Sequence, residues 1–427
     1  MGYPWPARQS HRHDPRRGVP GRALHLRRAA RHQRGRRRDR CRPAQHPCRP
    51  QGRLRRRPTV SGGPQGNRPQ STSVLVRKAT TLIRRNADVW LFLLVAFGAS
   101  WLIALPVWTG AVSLGTPAFV ILGILIMATP SLGVLAVWLT RRRDTPFRQW
   151  ARATGLTLGP DRSRTAALLA TALLGIPFLG AVAVAASAAV GTMRLDLAGL
   201  GLFRAQLGAA LGQVPMDPRI LYVVQVVQAV LIAPFLNAIP ALGEEWGWRG
   251  WLLPRLLGDP AVTPPPAPGN VGAGGVNTGV AGAGDEAQAA GAGDEAGGEA
   301  AAGERRGRRV WPALVLSGVI WGLWHAPLTL KGYNYPALGA WAAVLFVGFC
   351  VIFGALLGWM RLRSRSVWPA VIAHASLNAV AGLALLLGDA AAPPNPALAG
   401  ITGIVGWVLL AVVVFVAFRL RPVSAPR

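Results

Sequence analysis

The sequence predicts an all-α membrane protein: a bundle of about eight transmembrane helices that encloses a polar cavity within the membrane. Of the 427 residues, 51% are hydrophobic and only 15% are charged, and the mean hydropathy is +0.32. A soluble chain of this length carries about a quarter charged residues. The charge is also unevenly placed, because residues 1–86 hold 24 of the 47 lysines and arginines. The rest of the chain is therefore more apolar than its average composition indicates.

Eight apolar segments follow the basic N-terminus, and a membrane crossing needs about 20 residues. They lie near 89–108, 113–140, 165–191, 220–257, 310–330, 338–360, 366–388 and 397–418. The fourth is too long for one straight crossing, since a helix over 219–257 would extend to about 60 Å at about 1.5 Å per residue. Pro234 and Pro240 predict breaks in it, with 241–257 as its cytoplasmic half.

Two segments are predicted to lie outside any packed core. Residues 1–73 are rich in Arg, Pro and Gly and are predicted to form a disordered tail. Residues 258–309 are rich in Ala, Gly, Pro and acids and are predicted to form a flexible linker that interrupts the membrane domain, 74–427. A tether to nucleic acid or anionic lipid is an alternative for the tail, but no nucleic-acid partner is expected.

The charge of the loops predicts the orientation in the membrane through the positive-inside rule. Arginines are frequent before the first apolar segment, between the second and third, between the sixth and seventh, and after the last. The alternate loops are poor in Lys and Arg, except 192–219, in which an interfacial helix is expected. We therefore expect a multi-pass protein of the cell membrane with both termini in the cytoplasm.

The cysteines indicate neither a disulfide scaffold nor a metal centre. There are three of them, Cys41, Cys48 and Cys350. Cys41 and Cys48 are not part of a CxxC pair, so a zinc site is not predicted there. Cys350 lies in an apolar segment and is expected to be a small core residue.

Ionisable residues inside the apolar segments predict a functional site, because such groups are costly in a membrane. Beyond residue 86 the only histidines are His325 and His374, and both lie in apolar segments. A third apolar segment carries Glu244 and Glu245, with Arg249 four residues further on. At about 1.5 Å per residue, these groups lie at depths of about 12 to 22 Å from the predicted cytoplasmic helix ends. They are therefore expected to share one cavity that opens towards the cytoplasm.

The spacing of these groups predicts their roles. Glu245 and Arg249 stand in the favourable i,i+4 order for an ion pair, which leaves Glu244 free to act as a general base. His374 and Asn378 are also four residues apart, so both can offer hydrogen bonds to a developing oxyanion.

On a separate helix, His325 is expected to join Glu244 in holding a water molecule. Each feature alone has a plainer interpretation: an ion pair that pins the bundle, or a histidine satisfied in the core. The three polar groups together, in three separate apolar segments, favour a hydrolytic site. The many tryptophans are attributed to interface and packing positions.

Three motifs, each in an apolar segment, resemble those of a known family. They are Glu244-Glu245-Trp-Gly-Trp-Arg249, Trp321-Gly-Leu-Trp-His325 and His374-Ala-Ser-Leu-Asn378. They look like the EExxxR, FxxxH and HxxxN/B motifs of the CPBP family of intramembrane glutamic endopeptidases, relatives of the type II CAAX prenyl endopeptidase that include CAAX proteases and bacteriocin-processing proteins.

The resemblance covers about 220–385. It implies a helical bundle in which Glu244 and His325 activate water while His374 and Asn378 stabilise the oxyanion. Trp321 stands where the family pattern has Phe, which preserves an aromatic wall.

The predicted function is an intramembrane endopeptidase that acts near the cytoplasmic side on a peptide or protein substrate. It is expected to contact membrane lipid and to need no cofactor or metal ion. A metal-dependent membrane hydrolase stays open as an alternative, since a glutamate and two histidines can also ligate zinc. A non-catalytic scaffold or immunity factor of the same fold is a second alternative. Substrate identity, substrate prenylation and oligomeric state are not predicted.

Overall fold

The structure, a computed structural model, is helical throughout the parts of the chain that it describes. These are residues 86–208, 216–263 and 310–423. Within these ranges the β-type pairing is limited to one isolated bridge, between Leu195 and Gly388. The predicted all-α class is confirmed for this part of the chain. The predicted tail and most of the predicted linker lie outside the described residues.

The described residues form helices of very different lengths. In chain order they are α1 (Ala87–Trp108), α2 (Pro117–Arg141), α3 (Phe147–Ala153), α4 (Arg162–Ala189), α5 (Gly201–Leu207), α6 (Pro218–Leu231), α7 (Ala233–Glu245), a π-helix (Trp246–Leu252), α8 (Leu253–Leu257), α9 (Val310–Trp324), α10 (Ala326–Thr329), a 3₁₀ turn (Pro336–Leu338), α11 (Trp341–Ser364), α12 (Trp368–Leu385) and α13 (Ile404–Leu420).

Within the described ranges, five helices are long and apolar enough to cross a membrane: α1, α2, α4, α11 and α12. A sixth span results if α6 and the run from α7 to α8, which meet at a bend of 46°, are taken together. The two other predicted crossings correspond to the shorter apolar helices α9 and α13. The protein is thus a multi-pass membrane protein by the composition of its helices, whereas the count of eight crossings stays a prediction.

The fourth apolar segment is broken, as predicted. The break lies at Ile232, between α6 and α7. Pro234 stands in the first turn of α7, where its missing N–H has no partner to lose. Pro240, the other predicted break, lies inside α7 without ending it.

The helix α12 is central to the bundle, since it packs against α4, α6, α7 and α11. Its residues from Pro369 to Leu377 are buried in unbroken succession, which places His374 in the interior. Outward faces carry large exposed apolar side chains instead, among them Ile239 and Trp341. Contact with lipid tails accounts for such faces, which would be costly in water.

Two smaller predictions concern single elements. The helix α5 lies in the loop 192–219, where a helix was expected, and its location at the membrane interface stays a prediction. Cys350 is fully buried in the core, as expected. Cys41 and Cys48 lie outside the described residues.

Three of the four arginine-rich regions that were assigned to one side meet in space, namely those before α4, at the end of α11 and after α13. Residues that follow α3, α8, α11 and α13 line one common cavity together with the start of α4. These helix ends therefore share a face of the bundle. Their location on the cytoplasmic side of the membrane stays a prediction from loop charge.

Candidate active site

The two adjacent carboxylates lie where the helix type changes. Glu244 and Glu245 are the last residues of α7, and the π-helix Trp246–Leu252 follows directly, so that Arg249 lies within it. A π-turn accommodates one residue more than an α-turn and is frequent at functional sites. Hydropathy alone did not predict this change, because an apolar π-turn and an apolar α-turn have the same composition.

Close backbone contacts fix the position of this segment. The carbonyl oxygen of Gly243 accepts a hydrogen bond from Ser131 Oγ at 2.7 Å. A Cβ atom at Gly243 would lie 2.6 Å from the carbonyl oxygen of Met127, and one at Gly250 would lie 2.8 Å from that of Thr154. Such approaches are open only to glycine. The glycines on either side of the carboxylates thus let the segment pack against α2 and the end of α3.

Glu245 lies at the centre of a buried ionic cluster. Its Oε1 accepts a hydrogen bond from Arg249 Nη1 at 3.0 Å and lies 2.9 Å from His374 Nδ1. The three side chains are 0%, 1% and 7% exposed, respectively. The structure therefore brings the predicted ion pair together and adds His374 to it. Since a carboxylate oxygen only accepts, the proton of this contact resides on His374 Nδ1, which leaves Nε2 for another partner.

Glu244 faces a different pair of side chains. Its Oε2 accepts a hydrogen bond from the indole Nε1 of Trp321 at 2.7 Å and lies 3.9 Å from Nε2 of His325. The Nδ1 atom of His325 is 2.9 Å from the backbone carbonyl oxygen of Trp321. A carbonyl can only accept, so Nδ1 carries the proton and the neutral ring turns the lone pair of Nε2 towards Glu244.

Trp321 connects the two halves of this site. Its indole N–H binds Glu244, and its ring lies 3.9 Å beneath the guanidinium carbon of Arg249. The same ring lies beside both imidazoles, at centroid distances of 5.6 Å for His325 and 5.5 Å for His374. The sequence predicts an aromatic wall at Trp321 but not its hydrogen bond. The available signal was its i,i+4 spacing from His325, which puts both side chains on one helix face.

His325 lies just beyond the end of α9 and caps the short helix α10. Its ring packs edge-on against Trp324 and Phe346, each at a centroid distance of 4.7 Å. The indole N–H of Trp324 reaches back to the carbonyl oxygen of Ala96 and to Thr129 Oγ1, both at 3.2 Å. The end of α9 is thus anchored to α1 and α2, which fixes the location of His325.

Asn378 lies one helical turn after His374 on α12, as the spacing required. Unlike the other five predicted site residues, it is exposed. Within the described part of the chain its side chain forms no hydrogen bond. Its amide group is therefore accessible, in contrast to the buried Glu244 and Glu245.

The carboxylates and histidines lie close together. A polar cavity around them stays a prediction. In the residues that the structure describes, no group of three or more His, Cys, Asp or Glu side chains is arranged to hold a metal ion. The two carboxylates are divided instead, with Glu244 facing His325 and Glu245 facing His374.

Comparison with known proteins identifies the segment that carries this site. Residues 223–380 match the family model described as Rce1-like, type II CAAX prenyl endopeptidase. The match contains all six predicted site residues, and it begins within α6 and ends within α12. No curated protein shows significant similarity to the chain. The similarity to the Rce1-like type II CAAX prenyl endopeptidases thus covers the segment that holds the candidate site.

Proposed function

We propose that this protein is an intramembrane endopeptidase that hydrolyses a peptide bond with a water molecule activated by Glu244 and His325. The observation that carries the proposal is the 3.9 Å separation of Glu244 Oε2 and His325 Nε2. Both atoms are hydrogen-bond acceptors, so neither can satisfy the other. A water that donates one hydrogen bond of about 2.8 Å to each fits between them. Its oxygen lone pair is then directed away from both acceptors.

The reaction follows from this arrangement. The water oxygen attacks the carbonyl carbon of the scissile bond while one of its protons passes to Glu244. The electron pair of the carbonyl π bond moves to the oxygen, which becomes an oxyanion. Glu244 then returns the proton to the departing amine as the C–N bond breaks. Glu244 ends the cycle as a carboxylate.

His374 and Asn378 are proposed to stabilise the oxyanion. The Nδ1 proton of His374 is held by Glu245 at 2.9 Å, so Nε2 donates to the oxyanion when the ring is protonated. The amide of Asn378, one turn further along α12, is exposed and therefore accessible to a substrate. Donors aimed at developing charge are among the strongest catalytic contributions.

Arg249 and Glu245 are proposed to hold the site in shape without direct contact with the substrate. The guanidinium neutralises the Glu245 carboxylate and lies on the ring of Trp321. Glu245 in turn fixes the ring of His374. The arrangement assigns one carboxylate to proton transfer and the other to orientation.

The substrate is proposed to be a peptide or protein segment that reaches the site from the cytoplasmic side of the cell membrane. Both termini of the enzyme are also proposed to lie in the cytoplasm. The family description names a CAAX prenyl endopeptidase, and prenylation of the substrate is not assumed here. Comparative proteomics of membrane-protein termini, in cells with the wild type or Glu244→Ala, tests the proposal. We expect a set of new termini that requires Glu244. Identical termini in both strains would favour the non-catalytic alternative.

Replacement of Trp321 by Phe should destabilise the protein through loss of one hydrogen bond. The indole N–H that binds Glu244 disappears, and a hydrogen bond to a charged group contributes about 1.5–3 kcal/mol. Hydrolysis should persist, because the family pattern itself carries Phe at this position. The measurement is the free energy of unfolding in detergent.

Trp248→Phe is the matched control for this variant. Trp248 is also fully buried, and its indole nitrogen has no hydrogen-bond partner within the described residues. Both substitutions remove a similar volume. An equal loss of stability in the two variants would contradict a role for the Trp321–Glu244 hydrogen bond.

Asn378→Ala should lower kcat by about 10²–10³-fold with little change in KM, because the contact to the oxyanion forms mainly in the transition state. Single-turnover and steady-state rates separate the two constants. Ser376→Ala, on the same helix, is the control, since its hydroxyl has no partner in the described structure. A raised KM with unchanged kcat would assign Asn378 to substrate binding instead.

Metal analysis of the same proteins separates the glutamic mechanism from the metal-dependent alternative. We expect the activity of the wild type to be independent of bound metal and to survive chelation. Stoichiometric zinc in the wild type, lost in both His325→Ala and His374→Ala but kept in Asn378→Ala, would instead make the two histidines ligands.

A further inference from the structure

A second polar region lies apart from the carboxylates, at the face where the arginine-rich helix ends meet. It is a cavity of about 870 Å³, within the range typical of ligand-binding pockets. Its lining includes six arginines: Arg152, Arg162, Arg164, Arg361, Arg363 and Arg365. The one carboxylate in the lining is Asp259. The cavity therefore carries a large excess of positive charge.

The buried member of this set, Arg361, is short of hydrogen-bond acceptors. It is only 5% exposed. Its Nη2 donates to the carbonyl oxygen of Ala153 at 3.4 Å, and its Nε has no partner in the described structure. A guanidinium offers five N–H donors, so this bond satisfies only a small part of its capacity. An anion in the cavity would supply both the missing hydrogen-bond acceptors and a compensating negative charge.

The backbone around Arg361 is shaped to hold the guanidinium. Gly155 has a φ of +81°, which a residue with a side chain rarely adopts. A Cβ atom there would lie 2.9 Å from the guanidinium carbon of Arg361. The charge is therefore seated against the loop after α3. Such a fixed guanidinium is better organised for an anion than a mobile surface arginine.

The location of the cavity indicates the source of the anion. Its walls are helix ends: the start of α4 and the end of α11, which are both long and apolar enough to cross a membrane, and the chain after α8 and α13. Helix ends of this kind lie at the level of the lipid headgroups. Apolar residues, among them Leu362 and Val423, complete the lining beside the arginines.

We propose that this cavity binds the phosphate of an anionic phospholipid headgroup. Arginine forks match the geometry of phosphate oxygens, and basic pockets between transmembrane helices favour negatively charged headgroups. A zwitterionic headgroup would bring its own cation among six arginines and is disfavoured. Inorganic phosphate shares the same chemistry without the lipid tails.

The test uses the full-length protein in an uncharged detergent, with phosphatidylglycerol, phosphatidylcholine and inorganic phosphate as separate probes. Bound lipid is counted by native mass spectrometry, and the melting temperature Tm is followed at each concentration. The cavity variant is Arg363→Gln/Arg365→Gln, which spares the buried Arg361. The control is Arg143→Gln/Arg148→Gln, which removes the same charge from two exposed positions that do not line the cavity.

We expect phosphatidylglycerol to bind the wild type and the control and to raise their Tm, while phosphatidylcholine does neither. The cavity variant should bind phosphatidylglycerol about 30-fold more weakly, since each arginine near a lipid surface contributes about fivefold in affinity. Equal weakening in both double variants would mean that only net charge matters, and would overturn the site. Equal stabilisation by inorganic phosphate would overturn the lipid assignment.

Discussion

Glu244→Gln is expected to abolish peptide-bond hydrolysis while the protein stays folded in the membrane. The amide cannot take a proton from the attacking water, and general-base catalysis contributes about 10²–10⁴-fold. In the wild type, Trp321 Nε1 donates to Glu244 Oε2 at 2.7 Å. The amide oxygen of Gln can still accept this hydrogen bond, so the stability of the protein should not fall. Single-turnover hydrolysis in proteoliposomes, with a peptide taken from the terminal proteomics, gives the rate.

The control for this variant is Asp144→Asn, which neutralises an exposed carboxylate in the loop after α2. It should leave hydrolysis unchanged. Retention of more than a tenth of wild-type turnover by Glu244→Gln would remove Glu244 from the role of base. If Glu245→Gln lost activity with normal expression and melting, the two glutamates would have exchanged roles.

Arg249→Met should produce the largest loss of stability. The substitution leaves the Glu245 carboxylate, which is 0% exposed, with His374 as its only remaining described partner. Breaking a buried pair by removing one member costs about 3–5 kcal/mol. The free energy of unfolding in mixed micelles measures this loss. The double variant Arg249→Met/Glu245→Gln should recover part of it, because no unpaired carboxylate is then buried.

An exposed ion pair provides the comparison. Arg164 and Asp161 are 3.1 Å apart with side chains 48% and 37% exposed. Pairs of this kind contribute about 0–1 kcal/mol, so Arg164→Met should change stability little. A similarly small effect of Arg249→Met would show that the buried cluster is hydrated or open.

The long spans could be predicted from the sequence because about 20 apolar residues in succession are a strong signal. The segment predicted near 366–388 is Trp368–Leu385, and that near 113–140 is Pro117–Arg141. The segment predicted over 310–330 ends earlier, at Trp324. The chain turns at His325, and Pro327 begins a new short helix. Hydropathy continues across this turn and cannot mark it.

The candidate site was predictable in its members and only partly in its contacts. Spacing alone puts Glu245 and Arg249 on one helix face, and they are indeed bonded at 3.0 Å. The contact of His374 with Glu245 depends on how α12 packs against α7, which spacing within one helix does not encode. The same holds for Trp321 and Glu244. Contacts between helices are set by packing, and a single sequence does not display it.

The π-helix Trp246–Leu252 also bears on how the length of this chain can vary. A π-turn is in effect an α-helix that has accepted one inserted residue. Loss of one residue here could be absorbed by reversion to an ordinary α-helix, with no loop required. The helix beyond the turn would then keep its orientation relative to the carboxylates. A deletion between Glu245 and Arg249 would instead change the spacing of the buried ion pair, so its effect would fall on the site itself.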